Sequence, residues 1–164
     1  MKSRRFLILT VLVLGLLTFG AGAREAAARD IVGAAAIVGD GFLRIGTQIV
    51  QLFGIYIPPT GTRCEAILRP VRCGGRAAIA LEFKAQGFIR CSTVGENPDG
   101  SVQAVCYARR TIRSPGVDLA AYLLNQGWAL ALPGAPFEYV ARERIARERG
   151  VGLWGFTADS VTFD

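Results

Sequence analysis

Acidic and basic side chains that could take part in catalysis occur along this chain, which contains no histidine. A carboxylate can activate a water molecule, and arginines can hold an anionic group. The candidates of these two kinds are Asp40, Glu65, Asp99, Arg63, Arg90 and Arg109. Each also has a simpler interpretation as a solvated surface charge, which we favour. Because imidazole is absent, histidine general-base catalysis and histidine-ligated zinc are excluded.

Four cysteines, Cys64, Cys73, Cys91 and Cys106, form a second chemically reactive set. No Cys-x-x-Cys spacing occurs, which disfavours a zinc site. In an exported chain, four cysteines indicate a disulfide framework with three possible pairings. We favour Cys64 with Cys73, which brackets a short loop, and Cys91 with Cys106, which joins two predicted neighbouring strands.

The first 23 residues have the pattern of a secretory signal peptide. Lys2, Arg4 and Arg5 precede an apolar run over 6–19, and small residues follow at 21–23. A membrane-spanning helix needs about 20 apolar residues, and this run is shorter. We therefore predict a cleaved signal peptide over 1–23 and no stable membrane association after cleavage. A flexible leader over 24–30, one domain over 31–158 and a tail over 159–164 complete the predicted organisation.

Cleavage would change the charge of the chain, because the predicted signal peptide holds three of its 19 basic residues and none of its 13 acidic ones. The remaining 16 basic residues against 13 acidic ones give a net charge of +3, compared with +6 for the whole chain. A dedicated nucleic-acid binder usually has a stronger basic bias. We expect an exported protein, located in the bacterial periplasm or outside the cell.

Apolar alternation and turn residues predict the elements that would position these side chains. The predicted strands are 31–38, 42–45, 48–55, 88–93 and 101–110. The predicted helices are 73–86, a second one that begins near 114 or 118 and ends at 126, and 137–149. This order predicts an α+β fold, mainly β, that is compatible with a five-stranded oligonucleotide/oligosaccharide-binding (OB) barrel and three packed helices.

Two of the predicted helices carry apolar residues at helical spacing. Ile79 and Phe83 share one face of the first helix, and Phe137, Ala141 and Ile145 form the predicted inward stripe of the third. Oppositely charged residues four positions apart in the third helix indicate a solvated face.

The segment over 38–59, VGDGFLRIGTQIVQLFGIYIPP, contains two short apolar strands, a tight turn and a Gly-Ile-x-x-Pro exit. It resembles the active-site segment of the staphylococcal-nuclease-like (thermonuclease) family, where D-G-D-T-L is followed by R-L-x-G-I-D-x-P-E. The matching positions are Asp40, Gly41, Leu43, Ile45, Leu52, Gly54, Ile55 and Pro58. Further motifs similar to the secreted branch of that family follow in order, at 64, 73–74, 87–91, 104–106, 118–119, 127–129 and 152–154. The resemblance implies the same OB barrel with three helices.

The residues that carry catalysis in that family are replaced in this chain. Phe42 and Tyr56 stand where the resemblance implies metal-binding aspartates, and Pro59 stands at the catalytic glutamate. Gln51 and Ser101 occupy the positions of two phosphate-binding arginines. Asp40 remains, and it matches a residue that supports the metal from behind. We expect the rings of Phe42 and Tyr56 to fill the space that the family leaves for a hydrated ion.

The resemblance and its departures together favour an exported thermonuclease-like domain that is catalytically inactive and acts as a binding or structural module. Its possible binding surface comprises Phe42, Phe53 and Tyr56. We expect no cofactor. One alternative is a calcium-dependent phosphodiesterase with a rebuilt active site. Another is a single-stranded nucleic-acid binder without hydrolysis, of modest affinity because of the low charge.

Overall fold

A computed structural model describes residues 29–64, 71–109 and 111–156 of the chain. Five strands form a closed barrel: β1 (Asp30–Val38), β2 (Phe42–Ile45), β3 (Gln48–Leu52), β7 (Phe88–Glu96) and β8 (Val102–Ala108). They are hydrogen-bonded in the order β3-β2-β1-β7-β8, and parallel pairing of β3 with β8 closes the barrel. The predicted mainly β, OB-like architecture is confirmed.

Strand alternation places the apolar residues of the hairpin β2–β3 inside the barrel. Leu43, Ile45, Val50 and Leu52 are at most 5% exposed, while the residues between them face outward or lie near the surface. Little room remains beside β1 at one position, because a Cβ added at Gly33 would lie 2.8 Å from Ile45 Cγ2. Packing therefore favours glycine at position 33, whereas Ala34 and Ala36 are exposed.

Shorter strands extend the sheets around the barrel. They are β4 (Ile55–Tyr56), β5 (Arg63–Cys64), β6 (Val71–Arg72), β9 (Val117–Asp118) and β10 (Leu130–Ala131). The predicted strand over 48–55 is thus divided at Gly54, whose positive φ of 74° turns the chain into β4. β4 leaves the barrel and pairs with β10. The predicted strand over 101–110 ends at Ala108, and the strand predicted to begin at 31 begins at Asp30.

Within the described residues, three α-helices pack on the barrel: α1 (Cys73–Lys84), α2 (Leu119–Asn125) and α3 (Phe137–Glu148). All three were predicted, but the apolar spacing does not mark the buried face of α1, and the predicted inward stripe of α3 is wrong. Ile79 and Phe83 are 67% and 66% exposed, and α1 instead buries Ala77 and Leu81. Phe137 and Ile145 are 86% and 51% exposed. The buried residues of α3 are instead Tyr139 and Ala146.

A buried tyrosine joins α3 to the start of α2. The Tyr139 hydroxyl donates to Asp118 Oδ2 at 2.7 Å, while Asp118 Oδ1 accepts from the Ala121 N–H at 3.1 Å and caps α2. Burial, followed by the neighbouring Asp118 carboxylate, raises the pKa of Tyr139 far above its usual range. The tyrosine therefore stays neutral, and Asp118 satisfies two buried donors at once.

The charged face of α3 is not wholly solvated, which corrects that part of the prediction. Glu138 pairs with Arg142, and Glu143 pairs with Arg147 at 2.8 Å, as the spacing predicts. The Glu143 side chain, however, is only 12% exposed. Its Oε2 accepts from the Ala131 N–H at 3.0 Å, and this hydrogen bond holds β10 against α3. Because β10 pairs with β4, it also helps to hold β4 in place.

All four cysteines form disulfides with the predicted pairing, Cys64 to Cys73 and Cys91 to Cys106. Cys91 and Cys106 lie directly opposite each other on β7 and β8, inside the barrel core. Cys64 and Cys73 join β5 to the first residue of α1. Disulfides persist in oxidising compartments. Among the described residues, no helix is long and apolar enough to cross a membrane. The predicted signal peptide, the C-terminal tail and Glu65 lie outside the described residues.

Candidate functional site

A cavity of about 220 Å³ lies where β2, β3 and β4 approach the Pro58-Pro59 segment. Its walls are Asp40, Gly41, Phe42, Gln51, Leu52, Ile55, Tyr56, Ile57 and Pro59. Most of this surface is carbon, including the two aromatic rings. The polar wall groups include one carboxylate, from Asp40, and one carboxamide, from Gln51.

The structure brings together most of the positions that the sequence singled out. Phe42, Gln51, Tyr56 and Pro59 all line this cavity beside Asp40. The rings of Phe42 and Tyr56 are half-buried and line the space rather than fill it, which corrects the expectation of a filled site. The structure places Phe53 outside the cavity wall, where its backbone N–H donates to the Ala104 carbonyl at 2.9 Å.

Asp40 fixes one rim of the cavity. Its Oδ1 accepts from both the backbone N–H and the hydroxyl of Thr60, each at 2.9 Å. The adjacent Gly41 has a φ of 89°, and a Cβ there would lie 2.9 Å from Ile57 Cγ2. The turn between β1 and β2 and the Pro58-Pro59 segment are therefore held against each other.

The first turn of α1 closes the cavity from behind. The Thr62 N–H donates to the Pro59 carbonyl at 2.8 Å, and the Gly74 N–H donates to the Thr62 carbonyl at 3.3 Å. A Cβ at Gly74 would lie only 1.7 Å from Pro59 O. Only glycine fits at position 74, because any Cβ would overlap the Pro59 backbone. Gly74 therefore allows α1 to pack directly against Pro59, which lines the cavity.

A polar network connects Ser101 to the cavity, although Ser101 itself does not line it. Asp99 Oδ1 accepts from the backbone N–H and the hydroxyl of Ser101 at 2.9 and 2.6 Å. Asn97 Nδ2 lies 2.9 Å from Ser101 Oγ and 3.1 Å from Gln51 Oε1. The hydrogen bonds from Ser101 keep the pKa of Asp99 below its ordinary value.

Several residues of the site were not predicted as functional. Leu52, Ile55 and Ile57 complete the wall, and Asn97 orients Gln51. The Asn-Pro-Asp-Gly sequence predicted the turn but not this contact. Gln51 and Asn97 are 46 residues apart in sequence, so local pattern carried no signal of their pairing.

Of the acidic and basic candidates that lie within the described residues, Asp40 alone lines this cavity. Asp40 lines the cavity, but Asp99 lies in the 97–100 turn, and Arg63 projects from β5. Arg90 lies on β7, where its Nη1 binds Asp30 Oδ2 at 3.1 Å beside a separate shallow cleft. Arg109 follows β8 with a φ of 55°.

The cavity walls do not fit a calcium ion. Calcium prefers six to eight oxygen ligands, several of them anionic. These walls offer one carboxylate, and one of its oxygens already accepts two hydrogen bonds from Thr60. Within the described ranges, no three histidine, cysteine or acidic side chains form a metal-binding group. Phenylalanine and proline side chains have no atom that can take a proton, so Phe42 and Pro59 cannot act as general bases.

No protein-family model matches this chain, and no curated protein matches its sequence. The fold and the cavity by themselves define a disulfide-bonded, OB-like barrel with a small, mainly apolar recess between β2, β3, β4 and the Pro58-Pro59 segment.

Proposed function

We propose that this chain is an exported thermonuclease-like protein without hydrolytic activity, whose recess binds a small ring-sized ligand. One observation carries the proposal. Four positions at which the resemblance implies catalysis, together with Asp40, line a single cavity, and Phe42, Tyr56 and Pro59 contribute carbon surface to it. The strands and turns that, as the resemblance implies, would position a metal and a phosphate instead surround a mainly apolar binding site.

The size and chemistry of the cavity suit a single aromatic ring. An engineered apolar cavity of about 150 Å³ binds benzene, and this one measures about 220 Å³. The two rings on its walls can contact a ligand ring edge-to-face or offset-stacked. A recess of this size is smaller than the usual site for a drug-sized ligand, which favours a ligand of one ring with a short substituent.

The order of residues at the N-terminus and the two disulfides support export. The leader has the basic, apolar and small-residue parts of a signal peptide. The two disulfides are those of an oxidising compartment. We place the protein in the periplasm or outside the cell.

We expect no calcium-dependent cleavage of nucleic acid. Protein purified from a nuclease-deficient host would be incubated with single-stranded DNA, with calcium or with chelator, across a range of protein concentrations. Cleavage that requires calcium, scales with protein and is lost in Asp40→Asn would contradict the proposal and favour a rebuilt site. Parallel binding curves at low and high salt test the other alternative. Strand binding that falls steeply with salt would identify a nucleic-acid binder.

We expect the recess to bind α-methylstyrene, an apolar single-ring probe, with a Kd on the order of 1 mM. Ile57→Phe adds volume to the cavity wall and should weaken binding at least about fivefold, because the added ring occupies the space of the probe. Ile79→Phe makes the same substitution on the exposed face of α1 and should leave the affinity unchanged. Ligand-observed NMR titration measures both. An equal affinity in the two variants would show that the recess is not the site.

A further inference from the structure

The orientation of the Gln51 carboxamide is set by a chain of hydrogen bonds that begins at Asp99. An ionised carboxylate can only accept hydrogen bonds. Since Ser101 Oγ lies 2.6 Å from Asp99 Oδ1, the hydroxyl must use its single proton in this contact. Ser101 is 5% exposed, whereas the Asp99 carboxylate lies at the surface, so the distance of 2.6 Å and not burial assigns the proton to this contact.

The orientations of the Asn97 and Gln51 carboxamides follow in the same way. Having donated its proton, Ser101 Oγ can only accept from Asn97, which therefore presents Nδ2 at 2.9 Å. Asn97 Oδ1 in turn accepts from Gln103 Nε2 at 2.9 Å. The second Nδ2 proton of Asn97 is directed at Gln51, which must accept it with Oε1 at 3.1 Å.

Gln51 is therefore left with its amino end, and two N–H donors, on the side away from Asn97. Within the part of the chain that the structure describes, Gln51 Nε2 donates to no protein group. Gln51 lines the cavity, whereas Asn97 does not. The polar wall of an otherwise apolar recess thus presents a donor whose orientation is set in advance.

We infer that the recess selects a neutral aromatic ring bearing a hydrogen-bond acceptor such as a carbonyl, with Gln51 Nε2 donating to that acceptor. The ring contacts Phe42 and Tyr56, and Gln51 determines specificity. An anionic acceptor is excluded because the Asp40 carboxylate lies in the same wall. The inference rests on the proposed function, since it concerns the same cavity.

Two probes of nearly the same shape isolate the acceptor. Acetophenone carries a carbonyl where α-methylstyrene carries a methylene group. Wild-type protein should bind acetophenone about five- to tenfold more tightly, the contribution of one net hydrogen bond. Benzoate, which is anionic, should bind more weakly than either probe.

The preference should depend on Gln51 alone among the glutamines of β3. Gln51→Leu removes the donor and should bring the affinity ratio of the two probes to about 1. Gln51→Glu keeps an acceptor for Asn97 but presents only carboxylate oxygens, so it should also lose the preference. Gln48→Leu is the matched control, because Gln48 lies on the same strand and donates to the Gly100 carbonyl at 3.1 Å. It should keep the wild-type ratio.

Affinities would be measured by NMR titration on variants whose thermal unfolding is cooperative. If wild-type protein binds the two probes equally, or if Gln51→Glu keeps the preference, the inference is overturned while the proposed recess stands. If neither probe binds wild-type protein, the proposed function fails and the inference fails with it.

Discussion

Replacing Gly74 with alanine should lower the free energy of unfolding by about 3–5 kcal/mol, the range of severe single substitutions. The added Cβ would lie 1.7 Å from Pro59 O and 2.6 Å from the Pro59 carbonyl carbon. Both are backbone atoms, so no side-chain rotation can relieve the contact. The Pro58-Pro59 segment would have to move away from α1. Because Pro59 lines the cavity, the binding of ring-sized probes should weaken as well.

The neighbouring glycine provides a matched control in the same helical turn. At Gly75 the nearest atoms to an added Cβ are Thr60 O at 3.7 Å and Arg72 Cβ at 3.9 Å, which are ordinary contacts. Alanine is favoured over glycine in a helix by about 1 kcal/mol, so Gly75→Ala should be neutral or stabilising. Denaturant unfolding measures both variants. If Gly74→Ala were as stable as Gly75→Ala, the close approach of α1 to Pro59 would be wrong.

Removing the Cys91–Cys106 disulfide should cost about 3 kcal/mol of stability. The two cysteines are 15 residues apart and join opposite positions of β7 and β8. A loop of that size contributes about this amount by restricting the unfolded chain. Since both residues are completely buried in the barrel core and not in the cavity wall, the folded double variant Cys91→Ala/Cys106→Ala should still bind α-methylstyrene with wild-type affinity.

Removing the Cys64–Cys73 disulfide should cost less stability than removing Cys91–Cys106, but it should weaken probe binding. Cys64 and Cys73 are nine residues apart, and the shorter loop contributes slightly less, about 2.5 kcal/mol. Cys73 precedes Gly74, however, and its loss would loosen the start of α1 that holds the Pro59 wall. Cys64→Ala/Cys73→Ala should therefore weaken probe binding. Urea unfolding and NMR titration of both double variants separate the two effects, and equal probe affinities would contradict this assignment.

Local sequence pattern was sufficient to predict the strands, the helices and the disulfide pairing. Alternation of apolar residues determined the strands of the barrel, because a half-buried strand must present one face to the core. Glycines and a proline marked where helices begin and end. The Cys91–Cys106 disulfide followed from the same strand assignment, since these residues occupy corresponding inward positions, and the Cys64–Cys73 disulfide followed from the short loop between them.

Other features depended on contacts between residues that are far apart in sequence. Spacing placed Ile79 with Phe83, and Phe137 with Ile145, on common helical faces, but a face is buried only where another element covers it. The barrel covers Ala77 and Leu81 instead, and residues facing α3 cover Tyr139 and Ala146. Apolar spacing on a helix therefore did not decide which side faces the core.

The sequence by itself determined that hydrolytic residue types are missing at the matched positions, since residue identity alone decides whether a side chain can bind a cation or take a proton. Only the tertiary structure decided that Phe42 and Tyr56 leave an open recess between them. The same holds for the orientation of Gln51, which depends on Asn97, 46 residues away. Chemical capacity is a property of each side chain, whereas a cavity and its hydrogen-bonding direction arise from how distant segments pack.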